Sequence, residues 1–169
     1  LGGVGCAIWT GVLLREVLEV VDVHGTATWL AWTGEDSLPG QPGKPPISRA
    51  IPMQKATDDH TMLAWAMNGE PLPAEHGFPL RLLVPGYPAS ASGKWLKRLW
   101  VRDQPHDGAT MEGPLYKMPA TPQEPGKLDP AAELVAIEQM PVKSIITAPA
   151  TGRAVGGDGA VQVRGFAWS

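Results

Sequence analysis

The sequence predicts a mixed α+β domain, and three observations carry that prediction. Glycine (20) and proline (18) are abundant, so turns and irregular connections should outnumber long helices. Strand-like and helix-like stretches do not alternate regularly, which argues against a doubly wound sheet. No glycine-rich phosphate loop opens a helix after a strand: Gly2-Gly3-Val4-Gly5 lacks both the spacing and the preceding strand. The 169 residues suffice for one domain with a real core.

Taken in order, the elements are these. Residues 10–21 show a helical period, with Val12, Leu13, Val17, Leu18, Val20 and Val21 apolar and Thr10 as N-cap. Residues 27–33 (Ala27, Thr28, Trp29, Leu30, Ala31, Trp32, Thr33) favour a strand. A Gly- and Pro-loaded loop follows from Gly34 to about Pro46, and loops of that length are often functional. Ile51 to Ala56 reads as a short helix with Pro52 in its first turn. Thr61 to Met67 reads as a strand closed by the tight turn Asn68-Gly69. Leu80 to Val84 and Trp95 to Val101 read as two more strands, separated by the small residues Ala89, Ser90, Ala91, Ser92 and Gly93. Residues 103–133 are polar and Pro-rich, a surface excursion with weak helix from Pro130 to Val135. Val142 to Thr147 is a strand, 149–159 a linker, and Ala160 to Trp168 a further strand. No internal repeat is apparent.

Composition excludes several functions. A net charge of -3 argues against a broad basic nucleic-acid surface. One cysteine, Cys6, allows neither an internal disulfide nor a cysteine-based zinc cluster, and Cys6 reads as a small buried residue. No apolar run reaches the roughly 18 residues of a membrane span. No signal peptide is visible. Both ends read as truncations, since the chain begins at Leu1 and stops within an apparent strand. The seven tryptophans (Trp9, Trp29, Trp32, Trp65, Trp95, Trp100, Trp168) read mostly as core, and none needs a redox role.

One region invites chemistry. His76, Arg81 and Lys94 are polar residues among apolar and small ones. Arg81 opens an apolar strand, where a guanidinium wants an anionic partner. Ser92-Gly93-Lys94 offers small side chains, free backbone N–H groups and a cation, which suits a phosphate or another oxyanion. The same residues also allow a plainer arrangement, with Arg81 paired to Glu70 or Glu75 and Lys94 in water.

A family resemblance favours the first arrangement. Trp9-Thr10-Gly11-Val12-Leu13-Leu14-Arg15-Glu16-Val17-Leu18 resembles the W-x-G-x-x-L-x-x-[LV]-L element of sulfite oxidases and bacterial sulfite dehydrogenases. Met67-Asn68-Gly69-Glu70-Pro71-Leu72-Pro73 followed by His76-Gly77-Phe78-Pro79-Leu80-Arg81 is similar to their N-G-x-x-L-P-x-x-H-G-x-P-x-R signature. Val84-Pro85-Gly86 and Ser92-Gly93-Lys94-Trp95-Leu96 continue in register. Met140-Pro141-Val142-Lys143-Ser144 resembles the P-V-x-S segment, and Val163 to Ser169 resembles the first strand of the family's immunoglobulin-like dimerisation domain. The resemblance covers nearly the whole chain. It implies a sulfite-oxidase-type molybdopterin-binding domain, N-terminally incomplete, over residues 1–148, then a linker and the start of a β-sandwich dimerisation domain over 149–169.

The resemblance also implies chemistry. The cofactor would be Mo-molybdopterin, held by Asp36, His76, Arg81, Ser92, Gly93 and Lys94. Asp36 would accept hydrogen bonds from the pterin's N–H groups, and the three cationic residues would meet its phosphate and polar edges. Tyr116 matches the family tyrosine at the substrate, where a phenol can donate to an oxyanion and help move a proton. Sulfite would be oxidised to sulfate, and electrons would pass singly to a haem protein such as a c-type cytochrome or to another acceptor. The metal-ligating cysteine of the family sits in a C-A-G-N-like motif upstream of the Trp9 element. Cys6 is too close to Trp9 to match it, so no metal ligand is expected within the chain, and basic substrate residues are expected upstream with that cysteine.

Two departures stand out: Leu115 and Ala91 occupy positions of an aspartate and an arginine in animal enzymes. With Gly86-Tyr87-Pro88 and His106-Asp107-Gly108 they resemble bacterial dehydrogenases without a fused haem domain. The family would place a homodimer in the periplasm, or alternatively between the mitochondrial membranes. Two other functions fit the same motifs: a sulfane dehydrogenase or sulfoxide reductase with the same cofactor, or a non-catalytic pterin-binding module without a metal ligand.

Overall fold

The computed structural model describes residues 6–23, 25–37, 47–108, 111, 116–124, 126–127, 129–153, 156–157 and 159–168. Most of the expected loop from Gly34 to Pro46, and Leu115, lie outside the described residues. The first strand, β1, spans Trp9–Leu13, and the helix α1 spans only Leu14–Val20. The helix expected over 10–21 is therefore half strand. Trp9, Thr10 and Val12 favour a pleated surface, and they pair antiparallel with the apolar run Met62–Met67. That long-range pairing outweighs the local helical period. Thr10 caps nothing, because the N-cap position is Leu13, which makes no side-chain cap bond. Leu14 and Leu18, one turn apart on α1, are buried.

The strand β2 spans Trp29–Gly34, and an unexpected strand β3 spans Ser48–Pro52. Ile51 pairs with Leu30 across these strands. The helix expected from Ile51 is thus shortened to α2, Met53–Ala56, with Pro52 at its N-cap. Next come β4 (Met62–Met67) and β5 (Glu70–Pro71), joined at Asn68 and Gly69. Both turn residues have positive φ (54° and 85°), the tight hairpin turn that Asn-Gly predicts. The strands β6 (Arg81–Leu83) and β7 (Leu96–Arg102) follow. Short strands β8 (Lys117–Pro119) and β9 (Leu134–Ala136) pair with each other. The weak helix expected over 130–135 is replaced by β9, because the apolar run Leu134-Val135-Ala136 finds its backbone partners on β8. The last two strands are β10 (Lys143–Ala148) and β11 (Arg164–Trp168).

One sheet runs β1-β4-β5 with β6 also paired to β4, and a second runs β3-β2-β7. Leu63 and Leu82 from the first, and Leu30, Trp32 and Ile51 from the second, meet Leu14 and Leu18 in one core. Each such side chain contributes roughly 1.5–3 kcal/mol on full burial. Of the seven tryptophans only Trp32 is buried, which corrects the expectation that most are core. An indole is large and seldom fully covered, and in this chain several indoles face cations instead. Cys6 is exposed, not buried, because it precedes β1 and no described element covers it.

Contacts group the chain into two units, Leu1–Glu138 and Gln139–Ser169. The second unit is built on the antiparallel pair β10 and β11, which leaves Ile146 and Phe166 largely exposed.

Candidate functional site

The first unit brings His76, Arg81, Ser92, Gly93 and Lys94 together through two crossing segments. A 3₁₀ turn at Ala74–His76 ends at Gly77, whose φ is 109°. A side chain at Gly77 would press on Lys94 and on the Cβ of Arg81, so glycine lets this turn lie directly against both cations. Arg81 Nη1 donates to the His76 carbonyl (3.0 Å), and Lys94 Nζ donates to the Glu75 carbonyl (3.0 Å). Trp95 Nε1 donates to the Ala74 carbonyl (2.8 Å). On the other side, the Gly93 carbonyl accepts from Leu82 N–H (2.8 Å), and Ser92 Oγ accepts from Val84 N–H (3.0 Å). A Cβ at Gly93 would fall 2.5 Å from the Trp32 ring, so only glycine fits there without moving the core.

The pairing of Arg81 or Lys94 with Glu70 or Glu75 does not occur: no carboxylate meets either cation among the described residues. The Arg81 guanidinium sits 5.0 Å from the Trp9 ring, and its buried Nε has no hydrogen-bond partner. Burial holds its pKa below the usual guanidinium range, though far too little to discharge it. A half-buried cation with an orphaned donor is a site short of an anion. The Lys94 ammonium lies 4.2 Å from the Trp95 ring. The His76 side chain is exposed. Asp36 is half-buried just after β2, and a side chain at Gly34 would collide with both its carboxylate and the Lys94 carbonyl. Asp36 therefore shares a small space with the Lys94 backbone.

Tyr116 lies apart from that group, 44% exposed, with a φ of 57°. Left-handed backbone at a bulky residue costs on the order of 1–3 kcal/mol and is common at working sites. It lines a cavity of about 420 Å³ with Arg49, His106, Asp107, Lys117 and Glu138. Ser90 and Ala91, just before Ser92, line the same cavity. Sequence reasoning missed Arg49 and gave His106 no role.

His106 is nearly buried in this wall. Arg102 can only donate, so His106 Nδ1 accepts from it (2.9 Å), and the proton sits on Nε2, which donates to Ser48 Oγ (2.9 Å). Burial first, then the charges of Arg102 and Arg49, hold the His106 pKa below its ordinary 6.5. A histidine with a depressed folded-state pKa favours the fold only while neutral, so stability is lost as pH falls from 6.5 toward the folded value. Urea midpoints should therefore drop between pH 8 and pH 5, and His106→Gln should flatten that drop. Parallel pH dependences in the two proteins would remove His106 as the cause. Asp107, held low by Arg102, acts only at more acid pH.

Residues 1–110 match the family described as oxidoreductase molybdopterin binding domain. The chain belongs to this family. Within the molybdopterin-binding family it is 36% identical to the mitochondrial sulfite oxidase of Drosophila melanogaster, over 99% of the chain and 30% of that protein. It is 34% identical to the human mitochondrial sulfite oxidase over the same shares, 99% and 30%. A nitrate reductase of Hordeum vulgare is 39% identical over 59% of the chain and 12% of that protein. Among solved structures, the sulfane dehydrogenase SoxCD of Paracoccus pantotrophus is similar with a TM-score of 0.67 and 32% identity, covering 85% of the chain and 32% of that one. The chain thus spans about a third of the length of these sulfite oxidases. The expected fold holds: few helices, many strands, and the molybdopterin domain of the sulfite oxidase type.

The family implies a Mo-molybdopterin cofactor. The residues present fit its anionic part on physical grounds: Arg81, with its unpartnered Nε, and Lys94 both pack against Gly77, and two cations so close call for an anion. No group of three His, Cys, Asp or Glu residues that could hold a metal occurs among the described residues. No helix among them is long and apolar enough to cross a membrane.

Proposed function

We propose that this chain is the cofactor-gripping part of a molybdenum oxidoreductase that oxidises sulfite to sulfate. The observation that carries this is Arg81: a half-buried cation without a carboxylate partner, inside the segment most similar to the family signature. Arg81 and Lys94 hold the pterin phosphate, with His76 beside them. Ser92 and Gly93 set the backbone on which that group rests, and Asp36 accepts from the pterin's N–H edge. When bound, the cofactor supplies a two-electron redox couple and oxygen-atom transfer. Tyr116 faces the substrate, where its hydroxyl donates to an oxyanion and passes a proton. The overall change is sulfite plus water to sulfate, two protons and two electrons. The electrons leave singly to an acceptor such as a c-type cytochrome.

Two further readings concern the whole protein. The second unit begins at Gln139, ten residues before the boundary expected from the sequence at 148/149, and its exposed apolar strands support a dimerisation domain of the immunoglobulin-like kind, and with it a homodimer. The bacterial character of the motifs supports a periplasmic location. A second reaction, sulfane dehydrogenation, is supported by the similarity to SoxCD.

The test is the full-length protein, assayed for bound molybdenum and for sulfite-dependent reduction of cytochrome c, with a protein-bound sulfane, a sulfoxide and nitrate in parallel. Metal with sulfite turnover is the expected result. Turnover of another substrate alone reassigns the reaction. Absence of metal and of all turnover leaves only a pterin-binding module.

A further inference from the structure

The wall of the Tyr116 cavity contains a buried histidine that the proposed reaction leaves without a role. His106 lines that cavity a few residues after β7. Its Nε2–H donates to Ser48 Oγ on β3, 58 positions earlier (2.9 Å), and its Nδ1 accepts from Arg102 Nη1 at the end of β7 (2.9 Å). β3 and β7 lie on opposite sides of β2, so this one ring ties together two strands that do not pair with each other. Trp100 meets the imidazole edge to face, with ring centroids 5.3 Å apart. A Cβ at Gly108 would overlap both Ser48 Oγ and the imidazole, so the turn closes on Ser48 this tightly only with glycine there.

Both bonds require the same protonation state. A proton on Nδ1 ends its acceptance from Arg102 and sets an imidazolium against a guanidinium. Burial opposes that charge most, then Arg102 from β7 and Arg49 from β3, while Asp107 favours it. Asp107 is itself bound to the same Arg102 nitrogen, and Asp103 also bears on Arg102. Arg98 stands over the Trp100 ring, and Lys117 and Glu138 share the cavity lining. If the turn lifts away, the ring returns to water and to its ordinary affinity for protons, so acid favours the open form.

We propose that His106 is a pH-sensitive latch on the Tyr116 cavity. Neutral, it holds residues 103–108 against Ser48 and closes one wall; protonated, it lets go of Arg102 and the wall opens. The latch also backs the tyrosine, because the Ser48 carbonyl accepts from Arg49 Nη1 (2.8 Å) and the Arg49 guanidinium lies 4.2 Å from the Tyr116 ring. Opening therefore loosens the substrate site and raises the sulfite KM, and that consequence alone rests on the placement of Tyr116 at the substrate. The sign follows from linkage: opening grows as pH falls below the ordinary 6.5, and the gain stops at the lower pKa of the closed form. Between pH 8 and pH 5 the gain is about 10-fold and at most about 30-fold, one power of ten for each pH unit below 6.5.

The test is amide hydrogen exchange over 103–108 in the full-length protein, read by mass spectrometry between pH 8 and pH 5 and corrected for the pH dependence of free amides. The slow exchange of the imidazole C–H gives the titration midpoint of His106 in the same samples. Protection is expected to fall about 10-fold toward pH 5 in the wild type, and less than about twofold in His106→Gln, which keeps a donor and an acceptor but does not titrate. Ser48→Ala removes the partner of Nε2–H, so it is expected to lower protection already at pH 8 and to shrink the acid step; it decides if His106→Gln fails to fold. Wild-type protection that ignores pH, an acid step of equal size in the variants, or a His106 midpoint at or above 6.5 overturns the latch, and sulfite oxidation in that same protein leaves the reaction standing. Protection lost with acid as described, in a protein that does not oxidise sulfite, supports the latch and sinks the sulfite reading instead.

Discussion

Replacing Arg81 with methionine is expected to strip the protein of molybdopterin while leaving the cofactor-free fold intact. The two effects differ in sign and size because they draw on different surroundings. In the cofactor-free protein the guanidinium is half-buried, one nitrogen has no partner, and only one hydrogen bond, to the His76 carbonyl, is made. Methionine gives up that charge-assisted bond, worth about 1.5–3 kcal/mol, but removes the cost of holding a cation out of water. The net change in melting should be small, and an increase is allowed. With the cofactor, two charge-assisted bonds to phosphate are lost, each worth about 1.5–3 kcal/mol, so retention should fall by roughly 100-fold or more. Molybdenum by elemental analysis and pterin by fluorescence of an oxidised extract both read this. Full metal and pterin content in folded Arg81→Met would refute the assignment. Arg81→Lys tests the fork: it keeps a charge on β6 but should recover only part of the occupancy.

The parts of the fold that were legible are those where local signals agree with the tertiary outcome. Asn68-Gly69 predicts a tight turn, and both residues adopt the positive φ that such a turn needs. The apolar runs at 62–67, 81–83 and 96–102 are strands, because the backbone partners they need lie on other apolar runs. The failures share one cause. Residues 10–13 and Ile51 carry helix-compatible apolar spacing, yet each pairs across a sheet, Gly11 with Ala64 and Ile51 with Leu30. A period read along the chain contains no information about a partner strand 53 residues away in one case and 21 in the other, and the pairing decides.

The candidate site divides in the same way. His76, Arg81 and Ser92 to Lys94 stand in two short, ordered motifs, and the structure packs the two against each other at Gly77. Asp36 was legible as a family match, and its nearness to the Lys94 carbonyl emerges only in three dimensions. Arg49 stayed silent because nothing on β3 distinguishes it from a solvated arginine at a strand edge. Its contact with the Tyr116 ring, 67 positions later and 4.2 Å away, emerges only in three dimensions. Charge at a buried position is visible only once burial is known, and burial of Ser48 to Arg49 follows from β3, an element the sequence did not announce.

Tyr116→Phe is expected to lower kcat for sulfite by about 100-fold or more, with molybdenum content unchanged. The substitution removes one oxygen and keeps the ring, so the Arg49 stack and the left-handed backbone at this position survive it. The proposed cofactor contacts, Arg81 and Lys94, bond to the His76 and Glu75 carbonyls, away from the Tyr116 hydroxyl that the substitution removes. An effect on kcat with full metal content therefore isolates the hydroxyl. Because the phenol helps most where charge redistributes, kcat and kcat/KM should fall together. A kcat within about twofold of wild type for folded, metal-replete Tyr116→Phe would place Tyr116 outside the reaction, since a donor acting in the transition state is worth far more than that.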